Sequence, residues 1–275
     1  RRNNPYLCAG TRERMGRQAF IYFRCPNATM DIYDEMANHY DLIYNDAYDA
    51  EFYLREARNA NGPVLEVACG TGRILLRLLS AGIDATGLDS SKGMINALKE
   101  KAKSAGLKPK TVIADMREFS LKKRFKLIII PYRSILHLKN KDKAKALKNM
   151  ARHLDDGGRL ILHTYNLAPE HLQMEGHLHP LDYEESVSPE GRTYIVNWYM
   201  EYNPKENSGE YKIDLQFKDE PKSSHEFTMK LFFIGKEAME EMLQSCGFRT
   251  IRLYCGFDYS VFEEKCKEVL WIAGK

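Results

Sequence analysis

The ten residues VLEVACGTGR, 64 to 73, constrain the fold more than any other stretch of this chain. Val64 to Cys69 is short, mostly apolar and β-capable, and Gly70-Thr71-Gly72 breaks it, so the run reads as a buried strand closing in a glycine turn. Ile74, Leu75, Leu78 and Leu79 then recur at helical spacing up to Gly82, which makes the glycines a strand-to-helix turn. The rhythm repeats. Residues 84–89 (DATGLD) read as a strand, Ser91 can cap a helix carrying Met94, Leu98 and Ala102, and 110–115 (KTVIAD) form the next strand. Residues 125–132 (FKLIIIPY) follow, then a helix with Leu147, Met150 and Leu154, a stop at Gly157-Gly158, and a strand over 159–165 (RLILHTY). Alternating strands and helices predict an α/β fold whose parallel sheet is covered on both faces.

Such sheets take ligands at the carboxyl ends of their strands, and the glycine turn sits at one of those ends. Asp89 closes the second strand, well placed for a ribose diol, so a nucleoside-bearing cofactor is the economical reading. A dinucleotide fingerprint needs a third glycine where Leu75 stands, and no Gly-Lys-Ser/Thr phosphate loop occurs. Glu66 inside the first strand suits a cationic amino group better than a pyrophosphate. A nicotinamide-dependent oxidoreductase using the same turn is the alternative enzyme, and a protein that binds the cofactor without catalysis is the non-enzymatic one.

Charge narrows the partners. Residues 1–29 hold six arginines against Glu13 alone, so the rest of the 275-residue chain has 35 basic and 37 acidic residues and no basic excess for tracking phosphates. Nucleic acid is therefore not expected. No apolar run is long enough to span a membrane. The arm 1–29 reads as a native extension, a targeting peptide or sequence upstream of the natural start, and the folded domain is expected over 30–275. Six cysteines without a Cys-x-x-Cys pair read as buried filler in a reducing cytoplasm. The histidines 171, 177 and 179 lack spaced partners for a metal.

Four segments together resemble the class I S-adenosylmethionine-dependent methyltransferases: EVACGTGR (66–73), GLDSSKGMI (87–95), IADMREF (113–119) and HLDDGGRLIL (153–162). The resemblance is nearest to the small-molecule branch, notably the nucleotide-sugar N,N-dimethyltransferases. It implies a Rossmann-like doubly wound sheet of seven strands in the order 3-2-1-4-5-7-6, and S-adenosyl-L-methionine as cofactor. It also implies that Glu66 receives the methionine amino group, that the backbone from Ala68 through Gly70 to Gly72 lines the methionine, and that Asp89, followed by Ser90, takes the ribose hydroxyls. Met94 would pack on the adenine, Asp115 would accept from its exocyclic amine and the Met116 backbone would meet a ring nitrogen; Pro131 is a further candidate at the cofactor, in a stretch, Pro131-Tyr132-Arg133, that departs from the family pattern. For Asp115 a turn residue after a strand is the competing reading.

The resemblance further implies that DIYDEMANHYDLIY (31–44) is a helix closing over the cofactor, with Tyr33, Tyr40 and Tyr44 on one face and Tyr44 nearest the acceptor nitrogen. An aromatic packing stripe is the plainer reading of that spacing. His137, at the end of the catalytic strand, is implied as the base, or else is an ordinary helix-start histidine. Arg133 departs from the family pattern and reads either as a bidentate clamp for an anion, next to Ser134, or as a surface arginine.

Between residues 166 and 234 the rhythm changes to period two. Tyr194 to Tyr202, Tyr211 to Phe217 and Phe227 to Phe233 predict three antiparallel strands, a small sheet covering the acceptor pocket from which Trp198, with Tyr165 before it, reaches substrate. A helix with Met239, Met242, Leu243 and Cys246 then leads to two closing antiparallel strands. The function expected is methyl transfer to a nitrogen, less so an oxygen, of a small polar metabolite that can carry an anion. A homodimer stays open.

Overall fold

The computed structural model describes residues 32–220 and 224–275; the arm 1–29, with Cys8 and Cys25, lies outside the described residues. The chain opens with two short helices, α1 (Ile32–Met36) and α2 (Tyr40–Ile43), followed by α3 (Ala50–Asn59). The βα rhythm follows as β1 (Val64–Val67), α4 (Leu75–Ser80), β2 (Ala85–Asp89), α5 (Lys92–Ser104) and β3 (Lys110–Ile113). Then come β4 (Phe125–Ile130), a 3-10 turn (Ser134–His137), α6 (Asn140–His153) and β5 (Leu154–Tyr165). A second 3-10 turn (Pro169–Gln173) leads to β6 (His179–Val187), β7 (Thr193–Asn203), β8 (Ser208–Phe217) and β9 (Ser224–Phe232). The chain ends with α7 (Lys236–Ser245), β10 (Thr250–Cys255), β11 (Ser260–Val261) and β12 (Glu268–Gly274).

The main sheet runs β3-β2-β1-β4-β5-β12-β10-β11. With β10 as sixth and β12 as seventh strand, this is the expected 3-2-1-4-5-7-6 order with a two-residue eighth strand added outside β10. The first five strands are parallel, and β12 enters antiparallel between β5 and β10. β1 is buried along its whole length, as a strand covered on both faces must be. Leu65, Val67, Ile128, Ile130, Leu160 and Leu162 form the apolar layer with α6 and α7, and Val64, Leu127, Ile129 and Ile161 meet α3 and α4 on the other face. Each such side chain contributes roughly 1.5–3 kcal/mol through burial. The helix starts follow the sequence where a cap exists: the Ser91 hydroxyl accepts from the Met94 amide, 3.0 Å away.

Four expectations need correction. The helix before β5 does not run to Gly157-Gly158. It ends at His153, and Leu154 already pairs with Phe125; the two glycines form an irregularity inside β5, where the pairing with β4 shifts register. Gly158 is required there, since a Cβ would sit 3.0 Å from the Phe125 carbonyl oxygen. The second sheet has four strands, β6-β7-β8-β9, not three. β6 is an edge strand with most of its residues exposed, so it carries charges where alternation would show apolar residues. The tyrosines of 31–44 do not share one helix: Tyr33 is on α1, Tyr40 opens α2 and Tyr44 caps its end. Finally, Cys255 and Cys266 are joined as a disulfide across the loop between β10 and β12, while Cys69 and Cys246 are free and buried. Among the described residues no helix is long and apolar enough to cross a membrane.

Candidate active site

A cavity of about 620 Å³ opens over the carboxyl ends of β1, β2 and β4, closed from above by α1, α2 and the inner face of the four-stranded sheet. Its first half is built from the glycine turn and the turn after β2. Ala68 and Gly70 line it in left-handed backbone conformation (φ 56° and 52°), which brings main chain rather than side chain to the wall. Asp89 holds this half in shape: its two carboxylate oxygens accept from the Gly70 amide (2.7 Å) and the Ser91 amide (2.9 Å). Ser90, Met94, Asp115, Met116, Tyr33 and Tyr40 complete the wall.

Three residues expected at the cofactor are not on the wall. Gly72 is a packing glycine: its φ is 87°, and a Cβ would stand 2.9 Å from Leu98 Cγ. Pro131 does not line the cavity, although Tyr132 and Arg133 directly after it do. Glu66 is buried (3% exposed) near the Arg73–Asp49 ion pair, and its Oε2 has no hydrogen-bond partner. Burial pushes its carboxyl well above the ordinary range. Asp115 lines the cavity, yet Arg117 grips both of its oxygens (2.9 Å from Nε to each, 2.5 Å from Nη2) and holds its pKa down, so it meets a ligand as half of an ion pair.

The second half joins the end of β4 to the four-stranded sheet. Tyr132 and Arg133 are consecutive non-glycine residues with positive φ (54° and 64°), a conformation costing about 1–3 kcal/mol per residue that is maintained where surroundings impose it. The 3-10 turn after them carries Ser134, whose hydroxyl donates to the Pro131 carbonyl at 2.8 Å, and His137. His137 is half-buried between Tyr33 and β9, at the edge of the cavity. Tyr33 and His137 share a 2.7 Å hydrogen bond through Oη and Nε2, and the ring has a further bond to the Lys230 backbone. Burial lowers the His137 pKa to about 4, so at neutral pH the imidazole is uncharged and Nε2 accepts from the Tyr33 hydroxyl.

Tyr44 lies between Trp198 and Tyr132, its ring centroid 5.3 Å from each. Burial raises its phenol far above neutrality, which leaves it a protonated wall and donor and unsuited to act as a base. Trp198 and Tyr165 both line this half. Arg133 is neither a free clamp nor a surface residue: it pairs bidentately with Glu268, and its guanidinium stacks 4.7 Å over the Tyr165 ring. The fully buried His163 donates from Nε2 to the same Glu268 at 2.5 Å. Burial alone would raise the Glu268 pKa, but the His163 bond and the Arg133 charge bring it down to about 2.

Sequence reading missed Asp46, Tyr48, Tyr132, Asp182, Tyr211, Lys267 and Glu268, all on the wall. Two signals existed. His163 interrupts the apolar run RLILHTY, and Glu268 opens the buried run EVLWIAG; a polar residue at such positions needs a partner, which each supplies to the other.

The sheet order has a known counterpart: the fold is that of the class I methyltransferases. Residues 64–158 match the family profile described as "Methyltransferase domain", in keeping with the resemblance carried by the four sequence segments. The chain is 28% identical over 138 residues to a dTDP-3-amino-3,4,6-trideoxy-alpha-D-glucopyranose N,N-dimethyltransferase of Streptomyces venezuelae, covering 47% of this chain and 56% of that one. It is 24% identical over 233 residues to a glycine/sarcosine N-methyltransferase of Aphanothece halophytica, covering 82% of each. The first two curated relatives are spanned over little more than half their length, 56% each. A solved structure of an S-adenosylmethionine-dependent methyltransferase from Clostridium acetobutylicum superposes with a TM-score of 0.73, covering 89% of this chain and 99% of that one at 19% identity, which speaks to the fold.

Proposed function

We propose that this protein is an S-adenosylmethionine-dependent methyltransferase that methylates a nitrogen of a small amine. The observation that carries the reading is one continuous cavity with a diol-binding carboxylate, Asp89, at one end and an uncharged histidine bonded to a tyrosine, His137 and Tyr33, beside the other. The cofactor fits the residues present. Asp89 faces the position of a ribose, Met94 offers an apolar face to a base, and the unpartnered Glu66 Oε2 near the turn favours a cationic group over a phosphate. When bound, S-adenosylmethionine supplies a methyl carbon already activated by its sulfonium.

The chain's own residues then align the acceptor and manage one proton. An acceptor ammonium must lose its proton before its lone pair can reach a methyl carbon. Tyr33 can pass that proton to the neutral Nε2 of His137, whose lowered pKa makes the imidazolium a transient that hands the proton on to solvent, and Tyr44, Trp198 and Tyr132 hold the acceptor in line. The charge of the acceptor half supports an amine. Asp46, Asp182 and Glu268 face it against Arg133 and Lys267, and Arg133 is already neutralised by Glu268. The relatives named as N-methyltransferases agree with this choice. The same acidic surplus disfavours a nucleic-acid substrate. A cytoplasmic location has the sparse cysteine pattern in its favour and the Cys255–Cys266 disulfide against it.

Calorimetric titration with S-adenosylhomocysteine and with NADH tests the cofactor. Binding of the first alone, followed by a gain of one methyl on members of an amine panel, is expected. Absence of S-adenosylhomocysteine binding overturns the proposal.

A further inference from the structure

Three Tyr-Asp dipeptides occur close together, at 33–34, 40–41 and 48–49. In each, the tyrosine lines the cavity while the aspartate bonds an element that carries or adjoins a cofactor motif. Asp34 Oδ1 accepts from the Ser91 hydroxyl at 2.6 Å and from the Gly93 amide at 2.7 Å, in the first turn of α5 directly after Asp89 and Ser90. Asp41 Oδ1 accepts from the Thr71 hydroxyl at 2.6 Å, inside the glycine turn between Gly70 and Gly72, and its Oδ2 faces Lys101 Nζ of α5 at 2.7 Å. Asp49, fully buried, receives both guanidinium nitrogens of Arg73, the residue that closes the turn. The approach at Asp34 is close enough to demand glycine: a Cβ on Gly93 would lie 3.0 Å from both Asp34 Cα and its Oδ1.

The segment 32–49 is therefore a strap fastened at three points to the two backbone segments that form the cofactor half. One residue before the first fastening, Tyr33 meets His137. Resting on the methyltransferase reading above, we infer that Asp34 and Asp41 are positioning residues that couple cofactor binding to assembly of the Tyr33–His137 proton acceptor. Any ligand that orders the glycine turn and the first turn of α5 firms the sockets for Asp41 and Asp34, and the docked strap brings Tyr33 onto Nε2. Coupling of this kind is reciprocal, so a strap that docks poorly also weakens cofactor binding. The third fastening, Asp49–Arg73, is the hinge end, where a lost partner would leave a buried charge and threaten the fold itself.

The test uses the full chain with Asp34→Asn, Asp41→Asn, the pair together, and Gly93→Ala. Each single Asn variant is expected to weaken S-adenosylhomocysteine binding about tenfold or more, the scale of one hydrogen bond to a charged group. Amides of residues 33–44 should exchange faster with deuterium in these variants, while β1 and β4 keep their protection. Turnover at saturating cofactor should fall because Tyr33 is displaced from His137, and the acceptor KM should rise with it, because Tyr44 on the same strap is part of the acceptor wall. Gly93→Ala should reproduce Asp34→Asn by pushing the strap away without altering any polar group. Wild-type cofactor affinity in the Asn variants overturns the inference, as does faster exchange spread evenly over β1, β4 and the strap. If the unsubstituted protein binds S-adenosylhomocysteine and the variants do not differ from it, the inference alone fails; if the unsubstituted protein does not bind it, the methyltransferase reading fails with it.

Discussion

Glu268→Gln isolates the charge that organises the acceptor half. The Glu268 carboxylate accepts from Arg133 on both oxygens and from His163 on Oε2, and its pKa falls from 4.5 to about 2. At about 1.4 kcal/mol per tenfold, that drop amounts to roughly 3 kcal/mol. Burial keeps His163 neutral, so its share is that of a hydrogen bond without a full charge, and about 2 kcal/mol is the better figure. The sign follows from a depressed carboxylate: the stabilisation is present above pH 4.5 and is lost as pH falls toward 2, with more than half gone by pH 3. Glutamine keeps the shape but turns an amide donor toward either the guanidinium or the imidazole. Thermal unfolding followed by circular dichroism should therefore show the variant about 4–8 °C below the parent at pH 7, the shift that about 2 kcal/mol produces in a chain of this size. The gap should narrow to less than half by pH 3, since every other carboxylate is common to both proteins. Equal gaps at pH 7 and pH 3 would refute the argument that ionised Glu268 is the source.

The proton acceptor gives a second prediction: Tyr33→Phe and His137→Ala each lower turnover roughly 10²-fold or more with S-adenosylhomocysteine affinity preserved within a few-fold for His137→Ala, read by labelled-methyl assay and calorimetry. Because His137 is neutral above about pH 4, the rate should show no inflection near 6.5 belonging to this residue, and an inflection there that His137→Gln abolishes contradicts its lowered pKa. Gly72→Ala should cost about 2–4 kcal/mol in urea unfolding, from a left-handed backbone and a clash with Leu98, although the residue does not touch the cavity. Trp198→Ala should raise the acceptor KM and leave cofactor affinity unchanged, as expected of a wall residue confined to the acceptor half.

The parallel sheet and the cofactor half were legible because each depends on neighbours in sequence. The strand that ends in Gly70-Thr71-Gly72, and Asp89 beside Ser91, fix local backbone that any correct register brings to the sheet's carboxyl edge. Glu66 was legible as a polar residue that needs a partner, but its place behind the cavity wall was not, since alternation along a strand buried on both faces gives no sign of which face a side chain takes. The acceptor half resisted reading for another reason. Glu268 meets His163 only through the antiparallel insertion of β12 beside β5, and Arg133 joins them through two left-handed residues that nothing in Pro131-Tyr132-Arg133 announces. β6 hid behind its charges, which suit an exposed edge and erase the period-two pattern that revealed β7, β8 and β9.

The two halves thus differ in how a change of residue acts on them. In the cofactor half the turn residues Ala68 and Gly70 are set by positive φ and by the Asp89 hydrogen bond to the Gly70 amide, so substitutions there act on the fold first. In the acceptor half the groups are side chains brought together from the end of β4, β5, β12, the segment after α2 and the four-stranded sheet, and the Arg133–Glu268–His163 chain ties the end of β4 to β5 and β12. That chain consumes the arginine that sequence alone would give to an anionic substrate. An acceptor with a carboxylate or phosphate must then either displace Glu268 from Arg133, against a pairing that holds the carboxyl near 2, or settle on Lys267, the chain neighbour of Glu268. An amine meets no such competition. On the proposed reading its positive charge is drawn to Asp46 and Asp182, and its proton has a path to Nε2 of His137 while the strap holds Tyr33 in place.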